Sequence, residues 1–435
     1  MELYSTKNKS LRVPFKEAVL KGLPSDNGLF MPHQLNPLPQ SFFERIDQMS
    51  FAEISVNVAQ NLIGDAIPTK KLRQIVEETV NFEAPVVPIH DRIYALELFH
   101  GPTLAFKDFG ARFMARVMSY FMEGEARKLH ILVATSGDTG GAVGRGFLGA
   151  ENIQITILYP KGKVSELQEK QLTTLGQNVQ AIEVDGTFDD CQHLVKTAFL
   201  DQELNDELLL SSANSINISR LIPQSFYYFW AYAQLKKQND LPVVFCVPSG
   251  NFGNICGGLI AMRMGLPVYH FVAATNANRV FTDYVQSGDF VPKPSVRTLS
   301  NAMDVGNPSN FYRLTELFDN EFKAILHKVA ASSYSDEETT AIMKVVYEQH
   351  QYTLDPHGAV GYLGLRDFMA GLEESVNGVF LETAHPAKFL DVVEATLERK
   401  VEIPPALADL TDKEKVAVPL KNSFEAFKDF LLCRV

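Results

Sequence analysis

Beyond Tyr94, short apolar runs alternate with segments of helical spacing, and this limits a 435-residue chain to one fold class. The runs lie at 129–134, 153–159, 179–184, 243–247, 268–274 and 379–381. They are strand-length and apolar at successive positions, as in strands covered on both faces of a parallel sheet. Between them, apolar residues recur at helical spacing over 110–123, 140–149, 165–175, 189–200, 223–237 and 254–264. Strands joined by helical crossovers make an α/β fold with mostly parallel sheets. Ahead of Tyr94, 51–64 and 70–82 have helical spacing, and Pro85 and Pro88 punctuate the chain, so 1–92 reads as a largely helical opening unit. The segment 276–311, rich in Gly, Pro, Ser and Asn, reads as a long loop or insertion.

Composition excludes some functions. The chain is 46% hydrophobic and 21% charged, the balance of a globular protein, and its formal charge is −12. That charge argues against nucleic acid or an anionic membrane as partner, so an anionic substrate must be met by a local cluster of donors. No apolar run approaches the length of a membrane span, and the first residues have no apolar stretch of signal-peptide type. Cys191, Cys246, Cys256 and Cys433 form no C-x-x-C pair, which points to reduced thiols in a cytoplasm. The ten histidines have no metal-ligand spacing, and no metal is expected.

Four segments carry chemistry. Residues 100–110 read HGPTLAFKDFG and set Lys107 in an apolar run just after a Gly-Pro turn. Burial drives lysine toward the neutral amine, which can attack an aldehyde and hold it as a Schiff base. Taken alone, the segment also fits a snorkelling lysine with its head in water. Two glycine turns then follow strands and open helices. The first contains Ser136, Gly137, Asp138 and Thr139; the second contains Gly250, Asn251, Phe252, Gly253 and Asn254. Each is a cradle of backbone N–H groups at a helix start, suited to a carboxylate or phosphate, and each also fits a tight packing turn. A polar cluster holds Asn214 and Arg220; Arg220 is either a planar fork for phosphate or a solvated residue on a capped helix. Thr383, where a strand ends, suits a ligand or a helix cap. In open α/β sheets ligands gather at strand C-terminal ends, so together these segments outweigh any one of them.

Taken together, these motifs resemble the threonine synthases, pyridoxal 5′-phosphate enzymes of the tryptophan synthase β-like fold, also called fold type II. The resemblance runs nearly end to end. It includes residues 3–6, 22–30, 301–311, 355–357 and 382–388 beside the Lys107 segment. It implies two α/β domains plus the N-terminal unit. These would be 1–92, a small cofactor and substrate domain over 93–215 with Lys107 and the 135–141 loop, and a large domain over 216–435 with the 250–254 loop. By position, Lys107 would bind the cofactor aldehyde and later move protons. Gly250, Asn251, Phe252, Gly253 and Asn254 would hold the cofactor phosphate, and Thr383 would bond the pyridine nitrogen. Ser136, Gly137 and Thr139 would receive the substrate carboxylate, and Asn214 and Arg220 the substrate phosphate.

The implied reaction turns O-phospho-L-homoserine and water into L-threonine and phosphate by γ-elimination and β-addition of water. The alternative is another fold type II lyase, such as a threonine or serine dehydratase or a phospholyase. A cytoplasmic monomer or homodimer is expected. Fold relatives usually carry Asn where this chain has Asp138, which would lie by the cofactor. An ionised Asp138 only accepts and would repel a phenolate, so either it is protonated or it turns toward another donor. Water must enter late, so the 276–311 segment and the Ser136 loop are expected to close over the site.

Overall fold

The computed structural model describes residues 1–433. The six apolar runs are strands: Leu129–Ala134, Ile153–Pro160, Val179–Asp185, Val243–Pro248, Val268–Thr275 and Asn377–Glu382. They divide between two sheets. The smaller is parallel throughout, in the order Val418–Lys421, Val179–Asp185, Ile153–Pro160, Leu129–Ala134, Leu209–Ser212. The larger runs Val329–Ser333, Val268–Thr275, Val243–Pro248, Asn377–Glu382, Ile93–Glu97, Val86–His90. Only its Val86–His90 edge is antiparallel. Each sheet draws on both sides of the 215/216 boundary: Ile93–Glu97 lies beside Asn377–Glu382, and Val418–Lys421 beside Val179–Asp185.

The opening unit has its two helices, Phe51–Ile63 and Thr69–Thr79. Ser50 and Glu53 start the first with a reciprocal capping box. The unit also contains a three-stranded antiparallel sheet of Glu2–Ser5, Arg12–Pro14 and Phe30–Pro32. Strands of three or four residues are too short for a period of two to register. The 276–311 segment is not a bare loop either. It holds the helix Val280–Ser287, where Val280, Phe281 and Tyr284 are buried, and a single turn at Asn301–Met303. The Asn276 amide ties the rest together through Thr298 Oγ1, Ser300 Oγ and Asp304 Oδ1.

The helix Lys107–Met122 joins the layers. Phe109, Phe113, Met114, Val117 and Met118 face inward and are buried. Phe109 is fully buried among Phe51, Phe82 and Tyr227, with ring centroids 5.9, 4.6 and 5.4 Å away. Phe109→Ala is expected to cost about 3–5 kcal/mol, as a lower urea midpoint at unchanged slope, because three elements cannot all collapse into the void. A loss below about 1 kcal/mol would show that the joint repacks freely.

Candidate active site

The chain leaves the strand Ile93–Glu97 and reaches Lys107 through a constrained turn. Asp108 turns back to accept from Thr103 N at 2.8 Å and Thr103 Oγ1 at 2.7 Å. Gly101 sits under this carboxylate, where an added Cβ would lie 2.5 Å from Asp108 Oδ2. Leu104 takes a left-handed φ of 56°, a strained choice for a branched residue. Its N–H donates to Gly101 O at 3.0 Å and its carbonyl accepts from His385 N at 3.0 Å. Ala105 bridges Ala384, and Phe106 N donates to Thr383 O at 2.9 Å. This bridge brings Lys107, at the start of its helix, to Thr383, just past the end of the strand Asn377–Glu382.

The glycine turns end two further strands, Leu129–Ala134 of the smaller sheet and Val243–Pro248 of the larger. In the first, Thr135 Oγ1 accepts from Gly137 N at 3.0 Å and Gly140 N at 2.9 Å, and Gly137 has φ 141°. A Cβ on Gly137 would lie 2.7 Å from Gln168 Cδ, so both space and conformation require glycine. Ser136 is exposed, Thr139 is half-buried, and Asp138 opens the helix Asp138–Phe147. In the second, Phe252 is left-handed at φ 60° and the helix Gly253–Arg263 starts with no side-chain cap. A Cβ on Gly250 would lie 2.8 Å from Met303 Cα. Gly250→Ala is therefore expected to push the 301–303 turn away and weaken cofactor phosphate binding about tenfold, at a stability cost of about 1–3 kcal/mol. Unchanged affinity by fluorescence titration would separate this turn from the cofactor.

Asn254 Nδ2, Arg220 Nε and Asn214 Oδ1 are among the buried polar atoms with no hydrogen-bond partner among the described residues. Asn254 Oδ1 accepts from both Tyr227 and Tyr228 hydroxyls at 2.7 Å, which fixes the amide and leaves its donor spare. That donor sits at an uncapped helix N-terminus and fits an anionic group such as a cofactor phosphate. The Asn251 side chain is partly committed. It donates to Ser215 Oγ at 2.6 Å and accepts from Ser309 N at 2.6 Å, which fixes the amide and leaves one Nδ2 hydrogen uncommitted.

Two arginines are buried, and they differ. Arg313 spends its fork on Phe30 O, Ile216 O and Asn310 Oδ1. Arg220 is 3% exposed and bonds Ala213 O at 2.6 Å, with Nε left over. Burial, partly offset by Asp108, draws its guanidinium down to about 10, still charged at neutral pH. Arg220 therefore keeps donor capacity for a ligand, which Arg313 does not.

Lys107 Nζ lies 3.6 Å from Asp138 Oδ2. Asp138 Oδ1 accepts from Lys388 Nζ at 2.7 Å and Gln168 Nε2 at 3.0 Å. Burial opposes the charge on Asp138, but Lys388 and then Lys107 outweigh it and hold the carboxyl well below its ordinary range. Of the two states open to Asp138, its contacts favour the ionised one turned toward other donors. For Lys107, burial acts first and favours the neutral amine; Lys388 and Arg220 add to it, Asp138 opposes, and the net direction is downward. Behind Thr383, Glu382 is fully buried against Gly358. Burial and then neighbouring Asp355 push its carboxyl far up, to the neutral acid. Sequence reasoning placed Glu382 and Lys388 in the 382–388 family segment without a role, and did not single out Gln168. Lys388 had a usable signal, a charge between Ala387 and Phe389 in an apolar stretch.

Family models cover the chain in three pieces. The threonine synthase N terminus matches residues 2–80, pyridoxal-phosphate dependent enzyme matches 80–382, and the threonine synthase C-terminal model matches 358–431. A threonine synthase from Serratia marcescens is 44% identical over 432 residues, spanning 99% of each chain. The chain belongs to the threonine synthase family. The crystal structure of threonine synthase from Escherichia coli superposes at a TM-score of 0.92, with 43% identity and 100% of both chains covered. A threonine synthase from Brucella melitensis, solved with pyridoxal phosphate bound, does so at 0.93 with 35% identity, over 99% of this chain and 98% of that one. The family, fold class, enzyme class and cofactor expected from the sequence all stand, and a threonine synthase acts on a small molecule. Among the described residues no helix is long and apolar enough to cross a membrane.

Proposed function

We propose that this chain converts O-phospho-L-homoserine and water to L-threonine and phosphate at the Lys107 site. One observation supports the reading most: the Ala105–Ala384 bridge and the Phe106 N to Thr383 O bond join the Lys107 segment to the end of the strand Asn377–Glu382, which lies beside the strand Val243–Pro248 that leads into the Gly250–Asn254 turn. Bound there, pyridoxal phosphate supplies an aldehyde for amine exchange and a ring that delocalises negative charge. The N–H groups at the Gly253 helix start and Asn254 Nδ2 would hold its phosphate. The Thr383 hydroxyl would hydrogen-bond its ring nitrogen; a neutral partner there would leave the ring a weaker electron sink than a carboxylate partner does. Lys107 Nζ takes the proton from the substrate α carbon, as its bias toward the neutral amine allows. Ser136, Gly137 and Thr139 orient the substrate carboxylate with hydroxyl and backbone donors. The Arg220 guanidinium would offset charge on the departing phosphate, and Asn214, in the same polar cluster of the sequence, would assist it.

Arg220 supports a phosphorylated substrate over a hydroxy-amino acid, because a dehydratase has no phosphate for a buried spare donor. The net charge of −12 argues against nucleic acid as partner, and the few unpaired cysteines support a cytoplasmic setting. The test is one cuvette: cofactor absorbance and phosphate release recorded together on adding O-phospho-L-homoserine. Threonine and phosphate in equal amounts are expected. Sustained release of 2-oxobutanoate in place of threonine would make the chain a dehydratase-like lyase.

A further inference from the structure

Lys388 has the best-made polar contacts of the cluster and no role in the scheme above. It lies in the turn Pro386–Phe389 and is 2% exposed. A buried ammonium is costly unless paired and hydrogen-bonded. Lys388 Nζ has both, with Asp138 Oδ1 at 2.7 Å and Thr103 O at 2.8 Å. Lys107 Nζ reaches the same carboxylate only at 3.6 Å, beyond hydrogen-bond length, and its side chain is 17% exposed. Two lysines therefore face one carboxylate, and Lys388 holds it. The charged groups facing Lys107 come from three elements: Asp138 from the helix Asp138–Phe147, Lys388 from its turn, and Arg220 from the helix Ile218–Leu221. Asp138 is the only anion among them.

We propose that Lys388 is a positioning residue for the reaction, the fixed counter-ion of Asp138, which leaves the amine of Lys107 without a committed partner. The inference rests on the reading of Lys107 as the cofactor lysine. An ammonium paired to a carboxylate cannot attack a carbonyl or accept a proton until it loses its own. With Lys388 in place, Asp138 is neutralised by a group that takes no part in the chemistry. Without Lys388, Asp138 would turn its full charge on Lys107 and hold it protonated.

The test is the pH profile of Lys107 acylation by acetic anhydride in the full chain freed of cofactor, followed by mass spectrometry of the Lys107 peptide. Lys388→Met is expected to move the midpoint up by about one pH unit, making Lys107 about tenfold less reactive at neutral pH. Asp138→Asn removes the anion and leaves Lys388, so it is expected to move the midpoint down. The double variant removes both partners and is expected to return to within about half a unit of wild type. An unmoved midpoint in Lys388→Met, or a double variant that stays with it, overturns the proposal and leaves Lys388 a packing residue. Should Lys388→Met fail to fold, Asp138→Asn decides: a downward move supports the pair, and no move or an upward one ends it. Borohydride trapping of pyridoxal phosphate on wild-type Lys107 checks the parent reading separately, since acylation needs no cofactor.

Discussion

Lys107→Ala is expected to lower phosphate release from O-phospho-L-homoserine by on the order of 10³-fold or more, with the protein still folded. The side chain does little for packing. Its Nζ lies 3.6 Å from Asp138 and 5.5 Å from the centre of the Phe106 ring. Alanine suits the first turn of a helix, and the substitution removes one cation from a site already holding Lys388 and Arg220. The unfolding midpoint is therefore expected to move little, while borohydride reduction with pyridoxal phosphate adds no cofactor mass to the 107 peptide. A variant that keeps more than about a tenth of wild-type turnover would sink the assignment of Lys107. Loss of turnover together with loss of fold would place the residue in the core instead.

Arg220→Ala is expected to lower kcat/KM for O-phospho-L-homoserine about 10²-fold, or about 2.7 kcal/mol. Cofactor affinity is expected to change less than about threefold, because the Gly253 helix start and Asn254 are separate donors. The reason is the unspent guanidinium fork of Arg220. Nε itself packs on Gly110, but only one nitrogen of the fork bonds a carbonyl, so the rest of the guanidinium is set to gain an anionic partner. Arg220→Lys keeps the charge without the fork and is expected to fall between the two. Steady-state rates at limiting substrate decide: an alanine variant at full activity would reduce Arg220 to a prop for the Ala213 carbonyl. A dehydratase-like reaction would show the same indifference, so 2-oxobutanoate is measured in parallel.

Lys107 was legible because one charge in an apolar run is conspicuous at short range. Lys388 shows the same signal, but its meaning lies in Asp138, far away in sequence and on the other sheet's side of the site. The glycine turns were legible for a similar local reason. Gly137 needs a φ of 141° and Gly250 has no room for a Cβ, and few residues meet such demands. Asn251 has a second job that its place in the turn does not announce: its amide joins Ser215 to Ser309, segments far apart in sequence. The helix Val280–Ser287 was hidden by the Gly, Pro and Asn around it, although Phe281 and Tyr284 cluster with Phe311.

The chain's pattern determined the α/β class, the six main strands, the turns that end them and the family. Those features depend on neighbours a few residues apart, through strand and helix periodicity and glycine's freedom at positive φ. Tertiary structure decided which strands share a sheet, which arginine keeps a spare donor, and which lysine holds Asp138. Pairing and protonation depend on distance and burial in space, and segments hundreds of residues apart set both only once they pack together.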